Sequence, residues 1–222
     1  MTPELSERRL FAWWGLVGSL IILAFLGRET GGEPADDLLY RYDLAVTGIV
    51  FYGLILALVL LIARGREREL LALRRPSSWA RSIGLGVGVL LAIFVFGALL
   101  ERAFHAGEEQ GFDPGGWRPD RAGAFAANFV VVAAVTPAVE ELVFRGLGFS
   151  LLRPFGQLAA ILIVGIAFGL AHGIFAGIPV FTLIGVFLAV LRSRTDSIYP
   201  PIGVHAAFNG LQLIAAVTIA GD

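Results

Sequence analysis

Two residue types are missing from this sequence of 222 residues: it has no cysteine and no lysine, and all 17 of its basic residues are arginine. Without cysteine the chain can form no disulfide, no thiolate nucleophile and no zinc site with sulfur ligands. Without lysine it can form no Schiff base with retinal or with a carbonyl substrate. These absences exclude a rhodopsin and any enzyme that depends on a thiol or a lysine.

Charge is also scarce. Charged residues make up 16% of the chain, whereas an average soluble domain has about 25%. Apolar residues make up 57%, and the formal net charge is −1. A water-soluble fold is therefore not expected. No basic arm with interleaved aromatic residues is present, so we expect no nucleic acid partner. The expected partners are membrane lipid and a membrane-associated peptide or protein.

Long apolar runs, by contrast, fill most of the chain and predict an all-α, polytopic transmembrane bundle of about seven, at most eight, helices. They cover residues 11–27, 44–63, 82–100, 122–150, 157–172, 178–191 and 200–220. We expect one integral membrane domain over residues 1–222. Its first part, 1–121, holds three helices, and its second part, 122–222, holds the residues that suggest chemistry.

Arginine is distributed unequally between the two ends of the predicted helices. A cytoplasmic N-terminus places most arginines on the cytoplasmic side, namely Arg8, Arg9, Arg64, Arg66, Arg68, Arg74, Arg75, Arg81, Arg145, Arg153, Arg192 and Arg194. Cytoplasmic loops of membrane proteins carry an excess of Lys and Arg. The distribution therefore predicts a cytoplasmic N-terminus, in what we expect to be a bacterial inner membrane.

The fourth run contains two adjacent acidic residues, Glu140 and Glu141, followed by Arg145. A charge in the middle of a bilayer costs about 2.5–3.5 kcal/mol, so it persists when it is paired or useful. Glu141 and Arg145 are four residues apart and can form an ion pair. Glu140 lies about 100° around the helix and needs a partner from another helix. The alternative interpretation is a charge cluster at a helix end.

The fifth run places His172 on a stripe of small residues. Gly165, Gly169 and Gly173 recur every four residues, a spacing that lets another helix backbone approach closely. His172 follows Phe168 by four residues and shares the stripe, so we expect its side chain to face the bundle. The alternative interpretation is a core histidine that bonds to a backbone carbonyl.

The last run presents His205, Asn209 and Gln212 with the spacing of one helix face. Alone, these residues suggest hydrogen bonds between helices, which contribute about 1 kcal/mol or less each. Together, a glutamate, two histidines and an asparagine on three helices form the set from which a water-activating site is built. The H-E-x-x-H and G-x-S-x-G motifs of other proteases are absent.

Three motifs occur in order, E-E-x-x-x-R at 140–145, F-x-x-x-H at 168–172 and H-x-x-x-N at 205–209. This set resembles the CPBP family, which comprises type II CAAX prenyl proteases and bacteriocin-processing enzymes. The resemblance implies an intramembrane endopeptidase that acts on a CAAX-like or prenylated substrate. It implies that Glu140, as general base, and His172 activate a water, and that His205 and Asn209 donate hydrogen bonds to the oxyanion. Glu141, Arg145 and Phe168 are then supporting residues.

Three questions stay open at this point. Glu140, His172 and His205 could instead bind a divalent metal such as Zn²⁺, because one carboxylate and two histidines with an open position are typical of catalytic zinc sites. The chain could also be a non-proteolytic membrane scaffold or adaptor on the same fold. Finally, His172 comes late in its helix, so it reaches Glu140 only if the fifth helix is short or tilted.

Overall fold

The computed structural model describes residues 3–30, 37–105 and 116–219. Within these ranges, seven helices form the bundle: α1 (Pro3–Thr30), α2 (Tyr42–Ala63), α3 (Trp79–Phe104), α4 (122–152), α5 (Gln157–Leu170), α6 (Ile178–Thr195) and α7 (Tyr199–Ile219). One-turn helices at Leu38–Tyr40, Glu67–Leu70, Pro119–Arg121 and Arg153–Phe155 lie in or next to the connections. The described residues contain no strand, and the prediction of an all-α bundle is confirmed.

Six of the seven helices are long and apolar enough to span a membrane, and the chain is an integral membrane protein. The exception is α5, which has 14 residues. At 1.5 Å per residue it covers about 21 Å, whereas a bilayer core is about 30 Å thick. The fifth helix is therefore short, as the position of His172 required.

Helix α4 is not a regular α-helix, and Pro137 accounts for the first of its two irregular segments. Two of its segments are π-helical, Val131–Val135 and Leu142–Gly148. In the first, the Thr136 N–H bonds to the Val131 carbonyl, five residues back. The next bond in this register would come from residue 137, and a proline has no N–H to donate. The Val132 carbonyl is thus left for a partner outside the helix.

Side chains from other helices donate to carbonyl oxygens in both π-helical segments. The bonds run from Asn209 to Val132 at 3.0 Å, from Trp13 to Val143 at 3.0 Å and from Arg192 to Arg145 at 3.1 Å. Wider turns of this kind are frequent at functional sites. Here they let α1, α6 and α7 each bond directly to the backbone of α4, which fixes the positions of these helices around it.

The predicted stripe of small residues on α5 packs against α6. A side-chain carbon built on Gly165 would lie 3.0 Å from the Val186 backbone nitrogen, and one built on Gly169 would lie 2.9 Å from the Thr182 nitrogen. Such contacts are possible only for glycine. On α3, by contrast, a side-chain carbon built on Gly84 or Gly88 has no other atom within 4 Å, so these glycines make no close helix contact among the described residues.

One end of the bundle gathers the segments that the arginine distribution assigned to the cytoplasm. Asp196, which follows α6, bonds to Arg74 at 2.8 Å and to Arg192 at 3.1 Å, and Arg153 lies 3.6 Å away. Next to this cluster, Leu71 is fully buried. A side-chain carbon on Gly146 would come within 3.1 Å of the Leu71 backbone. The connection between α2 and α3 therefore closes this end of the bundle.

Candidate active site

The predicted ion pair between Glu141 and Arg145 forms in the centre of the bundle. Arg145 Nη1 donates to Glu141 Oε1 at 2.7 Å, and neither side chain has any exposed surface. Arg145 Nη2 donates to the Gly185 carbonyl at 2.8 Å, and the guanidinium lies 4.3 Å from the centre of the Phe168 ring. A buried charge requires such partners, because its desolvation costs several kcal/mol. Helices α4, α5 and α6 all meet at this arginine.

Glu141 has a second partner that the sequence did not predict. His205 Nδ1 lies 2.9 Å from Glu141 Oε1, and His205 is 4% exposed. A carboxylate that accepts the Nδ1 proton of a histidine fixes the orientation of the ring and directs its Nε2 away from the carboxylate. Glu141 therefore links Arg145 on its own helix to His205 on α7.

Glu140 finds its expected partner on another helix. Tyr52, in the middle of α2, donates its hydroxyl to Glu140 Oε1 at 3.0 Å. Glu140 Oε2 lies 3.8 Å from His205 Nε2, and the Glu140 side chain is 19% exposed. Sequence reasoning missed Tyr52, because the first three runs carry no motif. The available signal was its hydroxyl, a polar group inside an apolar run.

A cavity of about 300 Å³ opens beside Glu140. Its wall is mostly apolar, and the polar side chains in it are those of Glu140 and Tyr52. Leu20 and Ala24 of α1, and Ala171 directly after α5, close its other sides. A carboxylate at the edge of an apolar cavity can meet both a water and a peptide. A second, apolar cavity of about 460 Å³ between α4 and α7 contains none of the predicted site residues.

His172 lies in the turn after α5, close to His205. Its Nδ1 donates to the Phe168 carbonyl at 2.7 Å, which leaves Nε2 as an acceptor. Its ring stacks on Phe181, with 4.0 Å between the ring centres. The edge of the Phe168 ring contacts both histidines, with ring centres 4.6 Å from His172 and 5.6 Å from His205. The short α5 thus places His172 close to His205. The hydrogen bond from a core histidine to a backbone carbonyl, which was the alternative interpretation of His172, also forms.

Asn209 takes part in the contact between α4 and α7 rather than in the bonds of Glu140. One N–H of its amide donates to the Val132 carbonyl, so the expected hydrogen bond between helices is present. The amide has a second N–H that this bond does not use. Gln212, the third polar residue predicted for this face, is exposed.

The metal hypothesis receives no support from the arrangement of the side chains. A catalytic zinc site takes three protein ligands. Glu140 and His205 approach each other to 3.8 Å, but among residues 3–30, 37–105 and 116–219 no group of three histidine, aspartate or glutamate side chains converges to hold a metal ion. The donor set as folded does not fit a three-ligand site.

Comparisons with known proteins agree with the motifs. Residues 122–211 match the family model described as "Type II CAAX prenyl endopeptidase Rce1-like". A protein of Bacillus subtilis (strain 168), named "Putative membrane peptidase YdiL", is 27% identical over 199 residues, which cover 87% of this chain and 80% of that protein. No solved structure matches this chain. The matched region contains every residue of the three motifs.

Proposed function

We propose that this chain, whose motif-bearing region resembles the type II CAAX prenyl endopeptidases of the CPBP family, is an intramembrane endopeptidase with Glu140 as its general base. At the level of the family it is a membrane protease. The observation that carries the proposal is the meeting of Glu140 with His205, 3.8 Å apart. Of the four predicted catalytic residues, Glu140 is the one that also lines the cavity of about 300 Å³.

In the proposed reaction, Glu140 takes a proton from a water while the water oxygen attacks the carbonyl carbon of the peptide bond. His172 accepts a hydrogen bond from the same water through Nε2. The proton then passes to the leaving nitrogen as the carbon–nitrogen bond breaks. The residues of this chain supply every group that these steps require.

The oxyanion of the tetrahedral intermediate needs donors, and we assign this role to His205 and Asn209. Asn209 offers the N–H that does not bond to Val132. His205 donates through Nε2 when it carries both ring protons, since Nδ1 faces Glu141. Preorganised donors of this kind contribute about 2.7–4 kcal/mol each to the transition state.

We propose that the substrate is a membrane-associated peptide, CAAX-like or prenylated, in a bacterial inner membrane.

We also propose that the N-terminus is cytoplasmic. Arginines gather at the end of the bundle near Asp196, and an excess of arginine is typical of the cytoplasmic side. That end also holds Arg9, near the N-terminus, which donates to the Arg64 carbonyl at 2.8 Å.

The test is cleavage of a fluorogenic peptide by the full chain in lipid vesicles, with a farnesylated CAAX peptide and the same peptide without the lipid as the two probes. Glu140→Gln should lower the rate by at least about 10³-fold while the thermal unfolding midpoint stays unchanged. Glu29→Gln is the matched control, because Glu29 is an exposed carboxylate at the end of α1. A Glu140→Gln variant that cleaves at the wild-type rate contradicts the proposal, and one that keeps full biological activity favours the scaffold hypothesis.

A further inference from the structure

Among the described residues, Tyr52 is the polar partner of Glu140 that comes from the N-terminal part of the chain. It lies on α2, which carries none of the three motifs, and its hydroxyl donates to Glu140 Oε1 at 3.0 Å. A hydroxyl inside an apolar helix needs a hydrogen-bond partner, because a buried polar group without one is costly. The bond therefore holds both residues in place, and it crosses from α2 to α4.

The two oxygens of Glu140 have different surroundings as a result. Oε1 is occupied by the Tyr52 hydroxyl, whereas Oε2 faces His205 Nε2 at 3.8 Å. This second distance is too long for a direct hydrogen bond. Oε2 is thus the oxygen that remains free to take a proton, and it faces the imidazole on which the proposed chemistry also depends.

We propose that Tyr52 is a positioning residue for Glu140, fixing the carboxylate so that Oε2 receives the proton from the attacking water. The inference rests on the proposed function. Tyr52 acts through Glu140 and does not touch the reacting atoms. Without its hydroxyl the carboxylate can rotate about its terminal bond, which is broad and roughly two-fold in its preferences, and a misplaced base lowers the rate of the chemical step.

Tyr52→Phe separates this role from the other role of the residue, because the Tyr52 ring also lines the cavity. The phenylalanine ring keeps the cavity wall and removes only the hydroxyl. We expect kcat to fall about 10- to 100-fold, the range that the loss of a hydrogen bond to a charged group gives. KM should stay within about two-fold, because the wall that contacts the substrate is unchanged.

Tyr42→Phe is the matched control. It makes the same chemical change on the same helix, and Tyr42 is 62% exposed. Tyr42→Phe should keep the wild-type unfolding midpoint within about 2 °C, whereas Tyr52→Phe, which loses one hydrogen bond, should lower it by up to about 4 °C. An unchanged kcat in Tyr52→Phe, or an effect confined to KM, overturns the inference while leaving the endopeptidase proposal intact.

A second readout needs no activity. The carboxylate band of Glu140 is the infrared band that disappears in Glu140→Gln. This band should lie at a different frequency in Tyr52→Phe than in the wild-type protein. No shift of that band overturns the inference even where kcat changes. The two proposals can also fail separately. If the wild-type protein cleaves neither the farnesylated nor the plain peptide but the band shifts as expected, the proposed function is contradicted and the bond from Tyr52 to Glu140 is not.

Discussion

Glu140 and His205 face each other across the contact between α4 and α7, with Oε2 and Nε2 3.8 Å apart. Each is held from its other side, Glu140 by the hydroxyl of Tyr52 and His205 by the carboxylate of Glu141. Neither can rotate without losing a hydrogen bond. A base and a histidine that are both fixed before substrate arrives match the preorganisation that a hydrolytic site requires.

Arg145→Gln should destabilise the protein by about 3–5 kcal/mol, because it leaves the Glu141 carboxylate buried without its cationic partner. Unfolding of the purified protein in detergent, followed by denaturant titration, measures the loss. Arg121→Gln is the control, since Arg121 pairs with Asp37 where both side chains are partly exposed, and the cost there should stay below about 1 kcal/mol. Equal losses in the two variants would contradict the assignment of Arg145 as the centre of the bundle.

Gly169→Ala should reduce both stability and cleavage. The added carbon would lie 2.9 Å from the Thr182 backbone nitrogen, so α5 and α6 must separate, at a cost of about 1–3 kcal/mol. Because His172 lies just after α5, the same displacement moves it away from His205.

Gly84→Ala on α3 is the control. It should raise the free energy of unfolding by up to about 1 kcal/mol, since the added carbon meets no other atom and alanine favours a helix. Thermal unfolding and the peptide assay measure the two effects, and a Gly169→Ala variant as stable as Gly84→Ala would refute this packing.

Asn209→Ala should separate the two roles of Asn209. Loss of its bond to the Val132 carbonyl should lower the free energy of unfolding by about 1 kcal/mol. Loss of an oxyanion donor should lower kcat by about 10²- to 10³-fold. If kcat falls by less than about three-fold while stability falls as expected, Asn209 only joins the two helices.

Stability should depend on pH through Asp196, which lies outside the membrane-spanning helices. Burial alone would raise the pKa of Asp196, but hydrogen bonds from Arg74 and Arg192 outweigh it and hold the pKa below its ordinary value. A carboxyl group with a lowered pKa in the folded state adds stability above its unfolded-state pKa and loses it as the pH falls through the folded-state pKa. The loss therefore begins below about pH 4.

Asp196→Asn is the comparison for this effect, because asparagine tolerates the left-handed backbone at this position, where φ is 49°. The wild-type protein should be more stable at pH 6, by at most about 1 kcal/mol since the Asp196 side chain is 56% exposed. The difference should shrink progressively as the pH falls below about 4. Other carboxylates titrate equally in both proteins, so a difference that does not change with pH would show that the charge of Asp196 is not its cause.

Much of the architecture could be predicted from the sequence, because its causes are local. Apolar runs of sufficient length produce helices in a membrane, and the spacing of Glu141 and Arg145 places them on one face of any α-helix. Gly165 and Gly169 likewise mark the surface where a second backbone approaches. The three motifs indicated the resemblance to the CPBP family from the same local patterns.

Only the tertiary structure decided which groups meet. The bonds from Tyr52 to Glu140 and from His205 to Glu141 depend on how α2, α4 and α7 are rotated about their axes. Small differences in side-chain packing over whole helices set that rotation, and no local spacing encodes it. The exposure of Gln212 has the same cause, because the rotation of α7 decides which of its residues lie on the surface of the bundle. Helix positions and local pairs thus followed from the sequence, whereas the partners of Glu140 and His205 came from the packing of helices distant in the chain.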